Sequence, residues 1–167
     1  MSKPLVVISK CLGFARCRYN GKIIEVGWLE ELKGFVEFLP VCPEVAIGLG
    51  VPRDPISLVL KNGEKRLVQV STGRDLTEDM RNFSREFLSG LSKVSGFILK
   101  SKSPSCGVYD TPVFADLSTG IPVLYGPGLF TQMVFEFFPS LPIVDEKYLT
   151  LPENRYEFLK KISCGRI

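Results

Sequence analysis

The hydrophobic residues of this chain fall into short runs that alternate with segments of helical periodicity. Runs of β-branched and aromatic residues predict buried strands at 5–9, 35–41, 97–99 and 142–144. Apolar residues at helical spacing predict helices over 28–32, after Asp75, over 129–137 and after Thr150. Because strands and helices alternate, we expect a compact α/β domain with a mainly parallel sheet flanked by helices.

Local turn and cap signals predict further boundaries. The pair Asn62-Gly63 lies between two apolar runs and predicts one β-hairpin. Asp75, with Glu78 three residues later, has the spacing of a capping box and predicts a helix start. Gly96 is expected to end the segment that follows, just before the third strand.

The size and composition of the chain are those of one globular domain. It has 167 residues, 45% of them hydrophobic and 23% charged, and we expect a single α/β domain over 1–167. The longest uncharged stretch, 117–135, is interrupted by glycines and prolines, so we expect no membrane span. No signal peptide is recognisable. The net charge of +3 neither requires nor excludes a polyanionic partner.

The chain has no histidine and five cysteines. Without histidine it cannot carry a Ser-His-Asp triad, a Cys-His protease site or a His-ligated metal. Any metal must therefore be held by thiolates and carboxylates. Since no secretory signal is recognisable, we expect a cytoplasmic protein with free thiols rather than a disulfide framework.

Three of the cysteines follow predicted strands. Cys11 comes just after the first strand, Cys42 just after the second, and Cys106 a few residues after the third. Parallel strands end at one edge of a sheet, where α/β proteins bind their ligands. We therefore expect these three cysteines to converge in one site, although each taken alone could be a small buried core residue.

Charged and hydroxyl residues surround these thiols. Glu44 lies two residues after Cys42, and Ser103 lies among the lysines, serines and proline that lead to Cys106. Nearby lysine and arginine are expected to lower the pKa of a thiol and to favour the thiolate. In a chain without histidine, a carboxylate such as Glu44 is the natural proton-transfer group. Taken alone, the same residues would be a turn and a solvated loop charge.

Three separated segments, in the same order, resemble the thiouracil desulfidase (TudS-like) family, formerly a domain of unknown function. The matching segments are 9–21, 41–44 and 100–107, and the resemblance extends over most of the chain. It implies a compact α/β fold and a 4Fe-4S cluster that is held by three cysteines. Carried over by motif, the ligands are Cys11, Cys42 and Cys106, and one iron has no protein ligand.

The resemblance also implies the chemistry. An iron without a protein ligand is a Lewis acid with a preference for sulfur, and it would bind the thiocarbonyl sulfur of a thiolated pyrimidine. Water would then replace sulfur at the carbon, and sulfide would be released with no net redox change. In the family pattern, Glu44 is the general acid/base and Ser103 is its hydroxyl partner.

A narrower resemblance concerns the substrate. Segments 48–53, 72–77 and 126–130 are similar to a subgroup whose members often carry a second, C-terminal domain, and some of which desulfurate 4-thiouridine in tRNA. We expect this chain to lack the second domain, and it has Asn20 where the family commonly has Asp. The expected partners are a small thiolated base or nucleoside, with thiolated tRNA as a further candidate.

Two cysteines and one other function stay open at this level. Cys17 could be a fourth ligand, a sulfide acceptor or a packed thiol, of which we prefer a non-ligand role, and Cys164 is expected to be incidental. Arg18 and Tyr19 are candidate pocket residues. The alternative function is a non-enzymatic structural or RNA-binding module, in which Cys17 and the three other thiols close a zinc or iron–sulfur site. The absence of Cys-x-x-Cys spacing counts against zinc.

Overall fold

The structure of the chain is a computed structural model that describes residues 2–164, with the side chain of Cys164 outside the described part. In chain order the elements are β1 Leu5–Ser9, α1 Leu29–Lys33, β2 Glu37–Val41, α2 Pro43–Ala46, β3 Ile56–Lys61, β4 Glu64–Gln69, α3 Thr77–Ser89, β5 Val94–Leu99, β6 Thr111–Phe114, β7 Pro122–Gly126, α4 Leu129–Phe137, β8 Ile143–Asp145, a 3₁₀ turn Tyr148–Thr150 and α5 Pro152–Cys164. Within residues 2–164, none of these helices is long and apolar enough to cross a membrane. The prediction for Cys164 concerns a side chain outside the described residues.

The first sheet contains four parallel strands in the order β2-β1-β5-β8. These strands lie where the apolar runs predict them, so the α/β class with a parallel sheet is confirmed. The central strand β1 carries Val6, Val7 and Ile8, which are fully buried. Strands that are covered on both faces need such continuous apolar runs. Because the strands are parallel, β1, β2 and β5 all end at one edge of the sheet.

The two faces of this sheet belong to two separate parts of the core. Successive residues of a strand point to opposite faces. Val7 and Phe97 pack with apolar residues of α3, α4 and the second sheet. Val6, Ile8 and Ile98 pack with those of α1 and α5. Helices therefore cover both faces of the parallel sheet, as expected for this class.

A second, smaller sheet has the order β4-β3-β6-β7. The hairpin β3–β4 is antiparallel, as predicted, and it turns at Asn62 and Gly63 with φ of 53° and 78°. Positive φ at both positions defines a type I′ turn. Strand β6 pairs parallel with β3 and antiparallel with β7. The apolar pattern misses β6 and β7 because they contain Pro112, Pro122 and Gly126, residue types that are depleted in strands.

A different arrangement replaces the capping box that was predicted for Asp75 and Glu78. Helix α3 begins at Thr77 rather than directly after Asp75. Asp75 Oδ1 accepts the N–H of Thr77 at 2.9 Å, while Thr77 Oγ1 accepts the N–H of Leu67 at 2.8 Å. Thr77 therefore links the start of helix α3 to strand β4. The spacing of residues around Asp75 does not predict this contact, because the partner, Leu67, lies on another element.

Gly96 lies inside β5, so the prediction that it ends the preceding segment is wrong. A Cβ at this position would lie 3.0 Å from Ile162 Cγ2 and 3.3 Å from Phe158 Cζ, both on α5. The glycine therefore allows close packing between strand β5 and helix α5. Glycine is also common where a helix or strand ends, so the sequence pattern does not distinguish the two uses.

Helix α4 occupies the predicted range, and its first turn holds the loop that follows β5. The N–H groups of Leu129 and Thr131 donate to the carbonyl oxygens of Pro104 and Ser105 at 3.0 and 3.2 Å. The backbones approach closely because Gly128 has no side chain: a Cβ there would lie 2.5 Å from the carbonyl carbon of Ser105. This contact fixes the loop against the helix.

We expect Gly128→Ala to lower the free energy of unfolding by about 1–3 kcal/mol, because the added methyl group meets backbone atoms that cannot rotate away. The matched control is Gly27→Ala, since a Cβ at Gly27 has no neighbour within 4 Å. Denaturant unfolding of both variants measures the effect. Equal unfolding midpoints for the two variants would show that the close approach at Gly128 does not constrain the fold.

Candidate functional site

One cavity lies at the carboxyl edge of the first sheet and collects the residues that the sequence singles out. Its volume is about 380 Å³. The predicted site residues that line it are Cys11, Cys17, Cys42, Glu44, Ser103 and Cys106. Arg18 and Tyr19 also line it, as suggested from the sequence. The expected convergence of thiols from distant parts of the chain is therefore observed.

Each of the three thiols predicted as ligands comes from the segment that follows a parallel strand. Cys11 follows β1 in a turn that is closed by the N–H of Leu12 donating to the carbonyl oxygen of Ser9 at 3.0 Å, and its own carbonyl oxygen accepts the N–H of Ile24 at 2.7 Å. Cys42 directly follows β2 and immediately precedes the short helix α2, which the apolar pattern does not reveal. Cys106 is buried in the loop between β5 and β6.

The beginning of the loop after β5 is held by a carboxylate from the end of β8. Glu146 Oε1 accepts the N–H of Ser101, and Glu146 Oε2 accepts its hydroxyl, both at 2.7 Å. Lys100 Nζ pairs with Glu146 Oε2 at 3.2 Å, and the N–H of Lys100 donates to Ser9 Oγ at 2.9 Å. The loop is thus tied to the two strands on either side of β5.

The side chain of Ser103 stabilises the next part of this loop by hydrogen bonds to its backbone. Its Oγ accepts the N–H groups of Ser105 and Cys106 at 3.1 and 2.9 Å. Its carbonyl oxygen accepts the N–H of Gly107 at 2.8 Å and the hydroxyl of Thr111 at 2.7 Å. A serine in this turn therefore satisfies backbone groups and sets the position of Cys106.

Glu44 is held by two partners that contact different oxygens of its carboxylate. Oε1 accepts hydrogen bonds from Nε and Nη2 of Arg53 at 3.0 and 2.8 Å. Oε2 accepts the hydroxyl of Ser105 at 3.0 Å. Only 12% of the Glu44 side chain and 6% of the Arg53 side chain are exposed. The hydroxyl that hydrogen-bonds Glu44 is thus that of Ser105, whereas Ser103 lines the same cavity, and its predicted role as the hydroxyl partner in catalysis stays a prediction.

The thiols contact one another in pairs. Cys17 is close enough to Cys11 and Cys42 for these thiols to influence its pKa, and Cys42 Sγ donates to the carbonyl oxygen of Cys17 at 3.7 Å. Among the residues that the structure describes, no three thiol or carboxylate groups converge on a point that one metal ion could occupy.

The buried thiols hold their protons more firmly than free cysteine does, so the predicted lowering of their pKa by neighbouring cations is wrong. Burial is the main cause that raises the pKa of Cys106. A hydrogen bond with Cys17, followed by burial, raises the pKa of Cys42, and a hydrogen bond with Cys11 raises that of Cys17. Among the lysines that precede Cys106, Lys100 is engaged in an ion pair with Glu146. Metal ligation by these thiols must therefore displace protons.

Arg53 is a site residue that the sequence reasoning did not single out. It lies at the end of segment 48–53, which was noted only as a resemblance to a subgroup. Its N–H donates to the carbonyl oxygen of Tyr19 at 2.8 Å, and its Nη1 donates to that of Gly50 at 3.0 Å. The sequence signal that could have identified Arg53 is its position nine residues after Glu44. The ion pair itself depends on how the loop between the two residues folds.

Comparisons with known proteins identify the class. The model of a family described as 2-thiouracil desulfurase matches residues 6–146. Among solved structures, the chain is similar to one described as the 4Fe-4S-dependent thiouracil desulfidase TudS, with a TM-score of 0.69 and 26% identity, covering 93% of this chain and 97% of that one. Among curated proteins, it is 31% identical over 110 residues to the uncharacterized protein YbbK of Bacillus subtilis (strain 168), which covers 62% of this chain and 73% of that protein.

The fold, the thiol-lined cavity and these similarities define an enzyme that removes sulfur, a desulfidase. The chain belongs to the 2-thiouracil desulfurase family, and the resemblance seen in its motifs is confirmed. The matched range includes the loops that carry Cys11, Cys42 and Cys106. The non-enzymatic module considered as an alternative is therefore set aside.

Proposed function

We propose that this chain is a non-redox desulfidase that depends on a 4Fe-4S cluster and removes sulfur from a thiolated pyrimidine of the thiouracil or thiouridine type. One observation carries the proposal: the thiols of Cys11, Cys42 and Cys106, from three separate loops, line the same cavity as the carboxylate of Glu44. Soft ligands and a proton-transfer group thus share one space that is large enough for a small molecule.

The donor set fits an iron–sulfur cluster better than a single metal ion. Thiolates are the ligands that iron–sulfur clusters use. A cluster contains several irons, so its ligands can come from separate loops around one cavity, as Cys11, Cys42 and Cys106 do. The similar solved protein is described as 4Fe-4S-dependent. In this proposal Cys11, Cys42 and Cys106 hold the cluster, and Cys17 supports two of them without ligating.

When bound, such a cluster supplies a Lewis-acid iron with a preference for sulfur. The overall reaction converts a thiocarbonyl and water into a carbonyl and hydrogen sulfide, so no electrons are exchanged. The Glu44 carboxylate receives a proton from the attacking water and later returns it to the departing sulfur. Ser103 Oγ accepts two backbone N–H groups and lines the cavity, and in this proposal its own O–H is the donor that assists Glu44.

The proposal extends to the substrate and the location of the protein. A cavity of about 380 Å³ lies within the size range of sites for small ligands and would accommodate a free base or a nucleoside. A thiolated tRNA nucleotide is the further candidate. The four described cysteines are free thiols, which favours the cytoplasmic location.

We expect protein prepared without oxygen to contain one 4Fe-4S cluster. Replacing Cys11, Cys42 or Cys106 with serine should remove most of the iron, because each loss leaves two of three protein thiolates. Cys17→Ala should retain the cluster, and Cys164→Ser serves as a control for loss of a thiol. Iron and acid-labile sulfide counts, together with the visible absorption spectrum, measure the result. Tight zinc without labile sulfide would contradict the proposed cofactor, and loss of iron in Cys17→Ala would make Cys17 a ligand.

We expect Glu44→Gln to keep the cluster but to lower the turnover of a thiolated uracil or uridine by about 10²–10⁴-fold, because an amide cannot exchange the proton that the hydrolytic step requires. Ser103→Ala should cost less, since a water molecule can replace part of the hydroxyl function. Sulfide release and formation of the oxo-base are measured at equal iron content.

Three substrates are compared in this assay: the free base, the nucleoside and thiolated tRNA. Wild-type turnover in Glu44→Gln would show that the carboxylate is not the proton carrier. If a fully loaded wild-type protein releases no sulfide from any of the three, the proposed substrate class is wrong.

A further inference from the structure

We propose that Arg53 and Ser105 are positioning residues that fix the Glu44 carboxylate in the orientation needed for proton transfer. The inference rests on the proposed role of Glu44 and adds two residues to the reaction that the motifs do not assign. It is carried by the geometry of one buried cluster, in which each oxygen of the carboxylate has its own partner.

We infer that Arg53 acts through Glu44, because each of its three guanidinium nitrogens donates a hydrogen bond and two of these bonds go to Glu44. Nε and Nη2 both donate to Glu44 Oε1, and Nη1 donates to the carbonyl oxygen of Gly50. The two bonds from a planar fork to one oxygen fix direction as well as distance. Arg53 lines the cavity, but only 6% of its side chain is exposed, so the recorded contacts hold it against Glu44.

Ser105 holds the second oxygen from a different part of the chain. Its side chain is fully buried, and its hydroxyl donates to Glu44 Oε2 at 3.0 Å. Its backbone is fixed on both sides, because its N–H donates to Ser103 Oγ and its carbonyl oxygen accepts the N–H of Thr131. The hydroxyl therefore has little freedom to follow the carboxylate if the latter moves.

The two anchors together remove the rotational freedom that a glutamate side chain usually has. Arg53 belongs to the segment between α2 and β3, whereas Ser105 directly precedes the thiol of Cys106. The position of the carboxylate is thus set relative to the loop that carries one predicted cluster ligand. In catalysis, a displacement of about 1 Å of a reacting group can cost about 10²-fold in rate.

The test uses two independent variants in the full chain, loaded with iron and sulfide. Arg53→Lys keeps the positive charge but loses the fork, and Ser105→Ala removes only the hydroxyl. Matched controls come from α3: Arg81→Lys alters a surface arginine that pairs with Glu64 and Glu78, and Ser84→Ala removes a buried hydroxyl that donates to a helix carbonyl. Iron content and thermal unfolding are measured for each variant beside kcat and KM.

We expect Arg53→Lys and Ser105→Ala each to lower kcat by about 10–10²-fold at wild-type iron content, with KM changed by less than about threefold. In a Glu44→Gln background, the same two changes should cost less than about twofold further in single-turnover rates, because a residue that acts through Glu44 has nothing left to position. The two α3 controls should leave kcat unchanged.

Two results would overturn the inference while leaving the proposed function intact. In the first, Glu44→Gln is inactive but both positioning variants keep wild-type kcat. In the second, each variant lowers the rate by the same factor in the wild-type and Glu44→Gln backgrounds, which is the behaviour of a general structural defect. If Arg53→Lys loses its iron, Ser105→Ala alone decides between these outcomes. Full activity in Glu44→Gln itself would instead refute the proposed role of Glu44.

Discussion

The parallel pairing of β2, β1 and β5 is the constraint on which the site depends. Parallel neighbours must run in the same direction, so their carboxyl ends meet at one edge and the loops that follow them start side by side. Residues 11, 42 and 106 are far apart in the chain, but each lies in a loop that follows one of these three neighbouring strands. The continuous apolar runs that bury β1 on both faces therefore also bring three thiols to one cavity.

Polar contacts hold the loop after β5 and the Glu44 carboxylate in place at the cavity. Backbone N–H groups of the segment after β5 are satisfied by Ser9, Ser103 and Glu146, and its carbonyl groups by the first turn of α4. The ion pair of Glu44 and Arg53 is largely shielded from water, and removing one member of such a buried pair costs about 3–5 kcal/mol. The site is thus a rigid arrangement of satisfied polar groups, which suits a reaction that depends on placement.

Some features of the fold and the site could be predicted from local pattern, and others could not. The strands of the parallel sheet, the hairpin at Asn62-Gly63 and helix α4 follow from hydrophobic period and turn chemistry. Strands β6 and β7 are short and rich in proline and glycine, so they are strands because β6 pairs with β3 and β7 pairs with β6, and not because of their own propensity. Gly96 resembles a chain break because glycine serves both turns and close packing, and only the position of α5 distinguishes these uses.

By itself, the sequence determined the α/β class, the family, and the three thiols and the carboxylate that meet in the cavity, because these depend on hydrophobic period, residue type and order along the chain. Only the tertiary structure decided which groups touch. It paired Glu44 with Arg53 and Ser105 rather than with Ser103. It also raised the pKa of Cys106, although lysines lie nearby in sequence. Hydrogen bonds and desolvation depend on distances of a few ångströms between segments that are remote in the chain, and no local pattern encodes those distances.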